Sequence, residues 1–185
     1  MRLAIIGTHG VGKTTLVDDL TAVLPGYGAV AEPYWHLAQN GMPFAGGPNT
    51  ADLEEQLRQS CALILAETGN DTIFDRCPLD LIAYLEVVSQ DEGFGWEPDG
   101  KLLRRIEQAL ATLPLLIFVP LRVPDDIAVT IEYPRLRARV DRRLKAMLRD
   151  DDLGLLAGGP RVVEVFGGRD ERIASVVSAL RVTAS

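Results

Sequence analysis

Residues 7–14 read Gly-Thr-His-Gly-Val-Gly-Lys-Thr, a G-x-x-x-x-G-K-T spacing that follows a short apolar run and precedes a helical pattern. Glycines at these positions let the backbone turn successive N–H groups inward, and the helix that follows offers the positive end of its dipole. Such a turn is built to hold phosphate oxygens. Lys13 is placed to reach the terminal phosphates and Thr14 to ligate Mg²⁺, with Gly7, His9, Gly10, Val11, Gly12 and Thr15 completing the cradle. The chemistry implied is binding of a nucleoside triphosphate with its magnesium. Motors, GTPases, ATPases and kinases all share that much.

Two further stretches put carboxylates where such a turn can use them. Residues 71–77 read Asp-Thr-Ile-Phe-Asp-Arg-Cys, a short strand ending in Asp75-Arg76. The carboxyl ends of parallel strands face the ligand side of the sheet, so Asp75 is the metal-side carboxylate. Arg76 is suited to bind the acceptor or the moving phosphoryl group. A surface salt bridge at a strand end is the plainer reading of the same pair. A second strand runs into Glu32-Pro33-Tyr34-Trp35, where proline makes the chain leave the sheet. Glu32 is then placed to orient and deprotonate an acceptor hydroxyl. Tyr34, Trp35 and His36 would wall a flat or sugar-like acceptor, although an aromatic such as Trp35 equally serves as core.

Positioning these groups takes alternating strands and helices. Strands are expected at residues 2–6, 28–31, 72–74, 115–119 and 161–165, and helices at 12–24, 50–68, 78–90, 100–113 and 170–182, the pattern of an α/β parallel sheet. The Gly/Pro-rich stretches 40–49 and 91–100 read as loops. No internal repeat or dividing linker occurs, so residues 1–185 are expected to form one domain. A net charge of −7 leaves no positive field for a polyanion, which argues against a nucleic-acid partner. Two cysteines without a CxxC pair point to a reducing cytoplasm, and the apolar runs are too short to span a membrane.

Glu32-Pro33 with Trp35 close by, Gln56 on the following helix, and Asp75-Arg76 together resemble the deoxynucleoside kinase and thymidylate kinase group of P-loop enzymes. Residues 73–85, Ile-Phe-Asp-Arg-Cys-Pro-Leu-Asp-Leu-Ile-Ala-Tyr-Leu, are similar to small bacterial P-loop proteins related to the ribosylnicotinamide kinase domain and often labelled AAA-type ATPases. The resemblance implies a three-layer P-loop NTPase fold: a five-stranded parallel sheet in the order 2-3-1-4-5, helices on both faces, and a helical lid at about 124–150. It implies Glu32 as general base, Gln56 against a nucleobase, and Asp75-Arg76 on metal and acceptor oxygen. Asp80 and Tyr84 join Trp35 on the substrate side. Cys77 departs from the serine usual after the acidic-arginine pair, so that contact is missing.

The cluster Arg135, Arg137, Arg139, Arg142 and Arg143 looks like the arginine-bearing lid of these kinases. Helical spacing lets Arg135, Arg139 and Arg142 share a face, or Arg137 with its own partners. Arg135 and Arg139 are the favoured pair, and a solvated basic helix matched to the acidic run at 150–152 or to Glu132 is the alternative. By the same resemblance, Gly168 and Arg169 pass over the adenine ring, unless their turn simply caps the last helix. A homodimer is also implied.

The function expected is ATP-dependent, Mg²⁺-assisted phosphoryl transfer to a hydroxyl of a small nucleoside or ribosyl compound. A nucleoside monophosphate kinase and a regulatory ATPase or GTPase switch are the alternatives. A GTPase would need Asn/Thr-Lys-x-Asp after the fourth strand and Asp-x-x-Gly after the third. The chain has Pro-Leu-Arg-Val at 120–123 and Asp-Arg-Cys-Pro at 75–78.

Overall fold

The structure is a computed structural model and describes residues 1–127 and 130–183. Residues 128 and 129 of the expected lid lie outside the described residues. Five strands, β1 (Leu3–Ile6), β2 (Gly28–Val30), β3 (Thr72–Asp75), β4 (Leu115–Phe118) and β5 (Arg161–Glu164), form one parallel sheet in the order β2-β3-β1-β4-β5. This is the expected order 2-3-1-4-5. Between them run α1 (Lys13–Val23), α2 (Pro33–Gln39), α3 (Thr50–Ala66), α4 (Pro78–Asp91), α5 (Gly100–Ala111), α6 (Pro134–Asp150) and α7 (Arg169–Thr183).

Alternation along the strands divides the core into two halves. Leu3 and Ile5 point to the side of α1 and α7, where they meet Leu16, Leu20, Val176 and Leu180. Ala4, Ile6 and Phe74 point to the opposite side, where α3, α4, α5 and α6 bury Leu57, Ile82, Ile106 and Leu144. The central strands β1, β3 and β4 are buried throughout; β1 and β4 read in sequence as continuous apolar runs, whereas β3 flanks Ile73 and Phe74 with the buried polar Thr72 and Asp75.

Parallel pairing brings the carboxyl ends of all strands to one edge, and the functional candidates gather there. After β1 the chain turns at Gly7, whose φ is 147°. A Cβ there would collide with the Val119 carbonyl of the neighbouring strand end. Gly7→Ala is therefore expected to cost about 2–4 kcal/mol, measured by urea unfolding.

The structure differs from the expectation in two segments. Pro33 does take the chain out of the sheet, but into a helix not expected from the sequence: it occupies the first turn of α2 with Glu32 as N-cap residue, a position proline suits because its missing N–H is not needed. Most of the expected lid segment is helix α6, one face of which packs into the core. Val140, Leu144 and Met147 of α6 sit in the core beside α4, and Arg143 pairs with Glu86 and Asp152. Among the described residues of the segment 124–150, Asp125, Asp126, Ile127, Glu132 and Arg137 lie beside the phosphate-binding turn.

Candidate active site

The phosphate-binding turn opens into a cavity of about 310 Å³ whose walls include Gly10, Gly12, Lys13, Thr14 and Thr15. Gly12, at φ 86°, is the left-handed residue that starts α1. Among the described residues no protein acceptor takes the N–H groups of residues 10 to 15, so the turn and the first turn of α1 present unpaired donors to this space. Lys13 is fully buried and its Nζ donates to the Thr8 carbonyl at 2.9 Å. Burial, reinforced by the nearby Arg76 charge, pushes its ammonium down to about 8.

Thr14 Oγ1 donates to Asp75 Oδ2 at 2.6 Å, while Asp75 Oδ1 is buried without a hydrogen-bond partner. Thr14 lines the phosphate cavity, and its hydroxyl together with the carboxylate behind it, one oxygen unsatisfied, fits a Mg²⁺ that takes its remaining ligands from phosphates and water. No cluster of three or more His, Cys, Asp or Glu side chains occurs among the described residues, so nothing there resembles an all-protein metal cage.

Glu32 and Arg76, from the ends of β2 and β3, meet on the wall of this cavity, with Arg76 Nε donating to Glu32 Oε2 at 2.6 Å. Arg76 has φ 79°, rare for a residue with a side chain, and its Nη1 is buried without a hydrogen-bond partner. Burial alone would raise the Glu32 carboxyl, but the Arg76 charge and hydrogen bond, together with the Lys13 charge, outweigh it and hold Glu32 below the usual carboxylate range.

A second cavity, of about 410 Å³, adjoins the first, and His9 and Arg76 line both. Tyr34, Phe44 and Tyr133 supply its aromatic surface, with the Tyr34 and Phe44 ring centroids 4.4 Å apart. Gln56 and Tyr84 also line it. The Tyr84 hydroxyl accepts from His9 N at 2.8 Å, and the Arg76 guanidinium lies 5.6 Å from the Tyr84 ring centroid. His9 Nε2 can only donate to the Glu132 carbonyl, at 2.6 Å, so neutral His9 accepts from the Tyr84 hydroxyl at Nδ1, also at 2.6 Å. Burial, with the Arg76, Lys13 and Arg137 charges, lowers the His9 imidazole and keeps it neutral.

Several sequence-derived candidates stand elsewhere. Trp35 is 55% exposed and lines neither cavity, because the turn of α2 sends Tyr34 inward and Trp35 out. Asp80 is fully buried and cannot touch an acceptor. It accepts from Gly7 N at 2.7 Å and Cys77 N at 3.0 Å, which ties the phosphate-binding turn to the start of α4. Arg139 is drawn away to Asp91 at the end of α4, at 2.6 Å. Arg135 is exposed on α6 and lines neither cavity. Gly168 and Arg169 also line neither: Gly168 N donates to Glu171 at 2.8 Å, and Arg169 pairs with Asp19 of α1 at 2.9 Å. That turn behaves as a helix cap.

The arginines that do reach the phosphate-binding turn are Arg137 and Arg172, neither among the favoured sequence candidates. Arg137 Nε donates to the His9 carbonyl at 2.8 Å and Arg172 Nη1 to the Val11 carbonyl at 2.6 Å. Val140, Leu144 and Met147 mark the inward face of α6, and stepping back one turn from Val140 reaches Arg137, so its burial was readable from the apolar spacing. No comparable signal marked Arg172.

No helix among the described residues is long and apolar enough to cross a membrane. No curated protein matches the chain. Among solved structures, deoxyadenosine kinase from M. mycoides with the products dCMP and dCDP is 15% identical with a TM-score of 0.65, over 98% of this chain and all of that one. Thymidylate kinase from Candida albicans is 13% identical with a TM-score of 0.64, over 99% and 92% of the two chains. NadR in complex with NAD and AMP-PNP is 15% identical with a TM-score of 0.63 over 96% of this chain, which spans 48% of that protein. The fold is thus that of the P-loop kinase group. The model of the AAA domain family AAA_28 matches residues 2–172, nearly the whole chain, and the protein belongs to that family.

Proposed function

We propose that this protein transfers the γ-phosphoryl group of ATP, with Mg²⁺, to a hydroxyl of a small nucleoside or ribosyl compound. The observation that carries this reading is the Glu32–Arg76 pair on the wall where the phosphate cavity meets the aromatic-lined one. A nucleotide bound along the turn directs its terminal phosphate toward that wall, and an acceptor in the second cavity meets it there. Glu32 takes the proton of the acceptor hydroxyl as its oxygen bonds to phosphorus and the bridging oxygen leaves with ADP. Lys13 and the Arg76 guanidinium hold the equatorial oxygens. Thr14 and Asp75 would hold Mg²⁺, which supplies further charge neutralisation on the phosphates.

Charge favours an alcohol over a phosphate-bearing acceptor. The second cavity has one guanidinium, Arg76, already paired with Glu32, and its walls carry Asp52 and Glu132. A nucleoside monophosphate would bring its negative charge against two carboxylates with little to offset them. A panel of nucleosides, ribosyl-pyridines and nucleoside monophosphates tests the reading through ADP release with Mg–ATP. ADP release that depends on a hydroxylated nucleoside-type acceptor is expected. Hydrolysis indifferent to every acceptor would sink the proposal.

A further inference from the structure

Three consecutive carbonyls of the phosphate-binding turn are held by arginines from outside it. Arg137 of α6 donates from Nε to His9 O at 2.8 Å and from Nη2 to Gly10 O at 2.9 Å. Arg172 of α7 donates from Nη1 to Val11 O at 2.6 Å and from Nε to Gly167 O at 2.9 Å. The two side chains are each 3% exposed. Consecutive aspartates hold their far sides. Asp125 accepts from Arg137 Nη1 at 3.0 Å. Asp126 pairs with Arg172 Nη2 at 3.3 Å and accepts from Gly167 N at 2.9 Å.

The geometry of a trans peptide gives these contacts a consequence. The C=O of one residue and the N–H of the next point in opposite directions. Holding the carbonyls of His9, Gly10 and Val11 on the arginine side therefore holds the N–H groups of Gly10, Val11 and Gly12 on the other. None of those three donors has a protein acceptor among the described residues. Gly10 and Gly12 lack Cβ atoms and have positive φ, so their own preferences do little to stop the intervening planes from turning. A plane turned the wrong way would present a carbonyl oxygen to a phosphate.

We propose that Arg137 and Arg172 are positioning residues that preset three successive peptide planes of the turn for phosphate, with Asp125 and Asp126 keeping each guanidinium on the carbonyl side. The proposal rests on the reading of the turn as a nucleotide phosphate site. The ordering cost is met on folding rather than on nucleotide binding, so preorganisation appears as affinity. Arg137 is thereby committed to the outside of the turn, with its charge matched by Asp125, and leaves contact with the moving phosphoryl group to other side chains.

The test measures binding of AMP-PNP with Mg²⁺ by calorimetry, acceptor KM, and melting temperature for Arg172→Lys, Arg137→Lys, Arg172→Ala and Asp126→Asn. Each arginine replacement is expected to weaken AMP-PNP binding by about 10- to 100-fold, the scale of one lost charge-assisted hydrogen bond, with acceptor KM within about two-fold. Millimolar methylguanidinium is expected to restore affinity to Arg172→Ala and leave the wild type unchanged. Asp126→Asn keeps both arginines, and is expected to weaken binding by about three- to ten-fold even if the other variants fail to fold. Wild-type binding with unchanged affinity in the folded variants would overturn the proposal, as would equal loss of nucleotide and acceptor affinity without rescue. A wild type that binds no AMP-PNP would instead overturn the phosphate-site reading.

Discussion

Glu32→Gln is expected to lower kcat by about 10²- to 10⁴-fold, the range for losing a general base, while KM for ATP stays within about two-fold. Glu32 Oε2 is taken by Arg76 at 2.6 Å, and Oε1 has no protein partner among the described residues, which leaves it for the acceptor hydroxyl. Glutamine keeps the shape of the side chain and an oxygen for Arg76 but cannot accept a proton. The pH dependence follows from the same ion pair. Because Arg76 holds Glu32 below the usual carboxylate range, the base is ionised throughout the neutral range. Activity controlled by Glu32 is therefore lost only as the pH falls below that ordinary range. Steady-state kinetics from neutral to acidic pH, run on wild type and Glu32→Gln, would detect both effects.

Lys13→Ala is expected to lower kcat/KM for ATP by about 10³-fold, because a buried ammonium with no anion bonded to it is replaced by nothing that can meet a phosphate. The Lys13 ammonium, pushed down to about 8, also ties nucleotide binding to proton uptake. Phosphate oxygens favour the charged form, so the bound state holds the proton to higher pH than the free protein does. AMP-PNP affinity is then level below about pH 8 and falls above it, by up to about ten-fold per pH unit. Lys13→Arg, which does not titrate there, is expected to flatten that profile. Stability runs the other way. The folded chain releases the Lys13 proton near 8 and the unfolded chain near the ordinary 10.5, so the nucleotide-free protein gains stability as pH rises through that window. Calorimetry and urea unfolding across pH 7 to 10 separate the two.

β1 and β4 were legible because buried parallel strands are continuous apolar runs, and the phosphate-binding turn because few other sequences place G-x-x-x-x-G-K-T after one of them. The meeting of Asp75 with Thr14, and of Arg76 with Glu32, follows from the rule that parallel strand ends share one edge. Helix α2 escaped because an aromatic stretch after proline carries no helical periodicity of its own. Trp35 and Tyr34 are adjacent, and only the direction of that unforeseen helix decides which one faces the cavity. Arg139 illustrates a different limit. Its position on α6 was readable, but its partner Asp91 belongs to another helix, and long-range ion pairs leave no local pattern. Asp80 read as a substrate contact from its neighbourhood in sequence. Only burial shows that it braces Gly7 and Cys77 instead.

In the proposed reaction a phosphoryl group crosses from the cavity of the turn into the aromatic-lined cavity past Arg76. A single turnover with Mg²⁺, γ-labelled ATP and an accepted nucleoside tests it most directly, by following where the label goes. The label is expected on an acceptor hydroxyl, at a rate that Glu32→Gln and Lys13→Ala both reduce. Label recovered only as inorganic phosphate, at a rate the acceptor does not change, would contradict it.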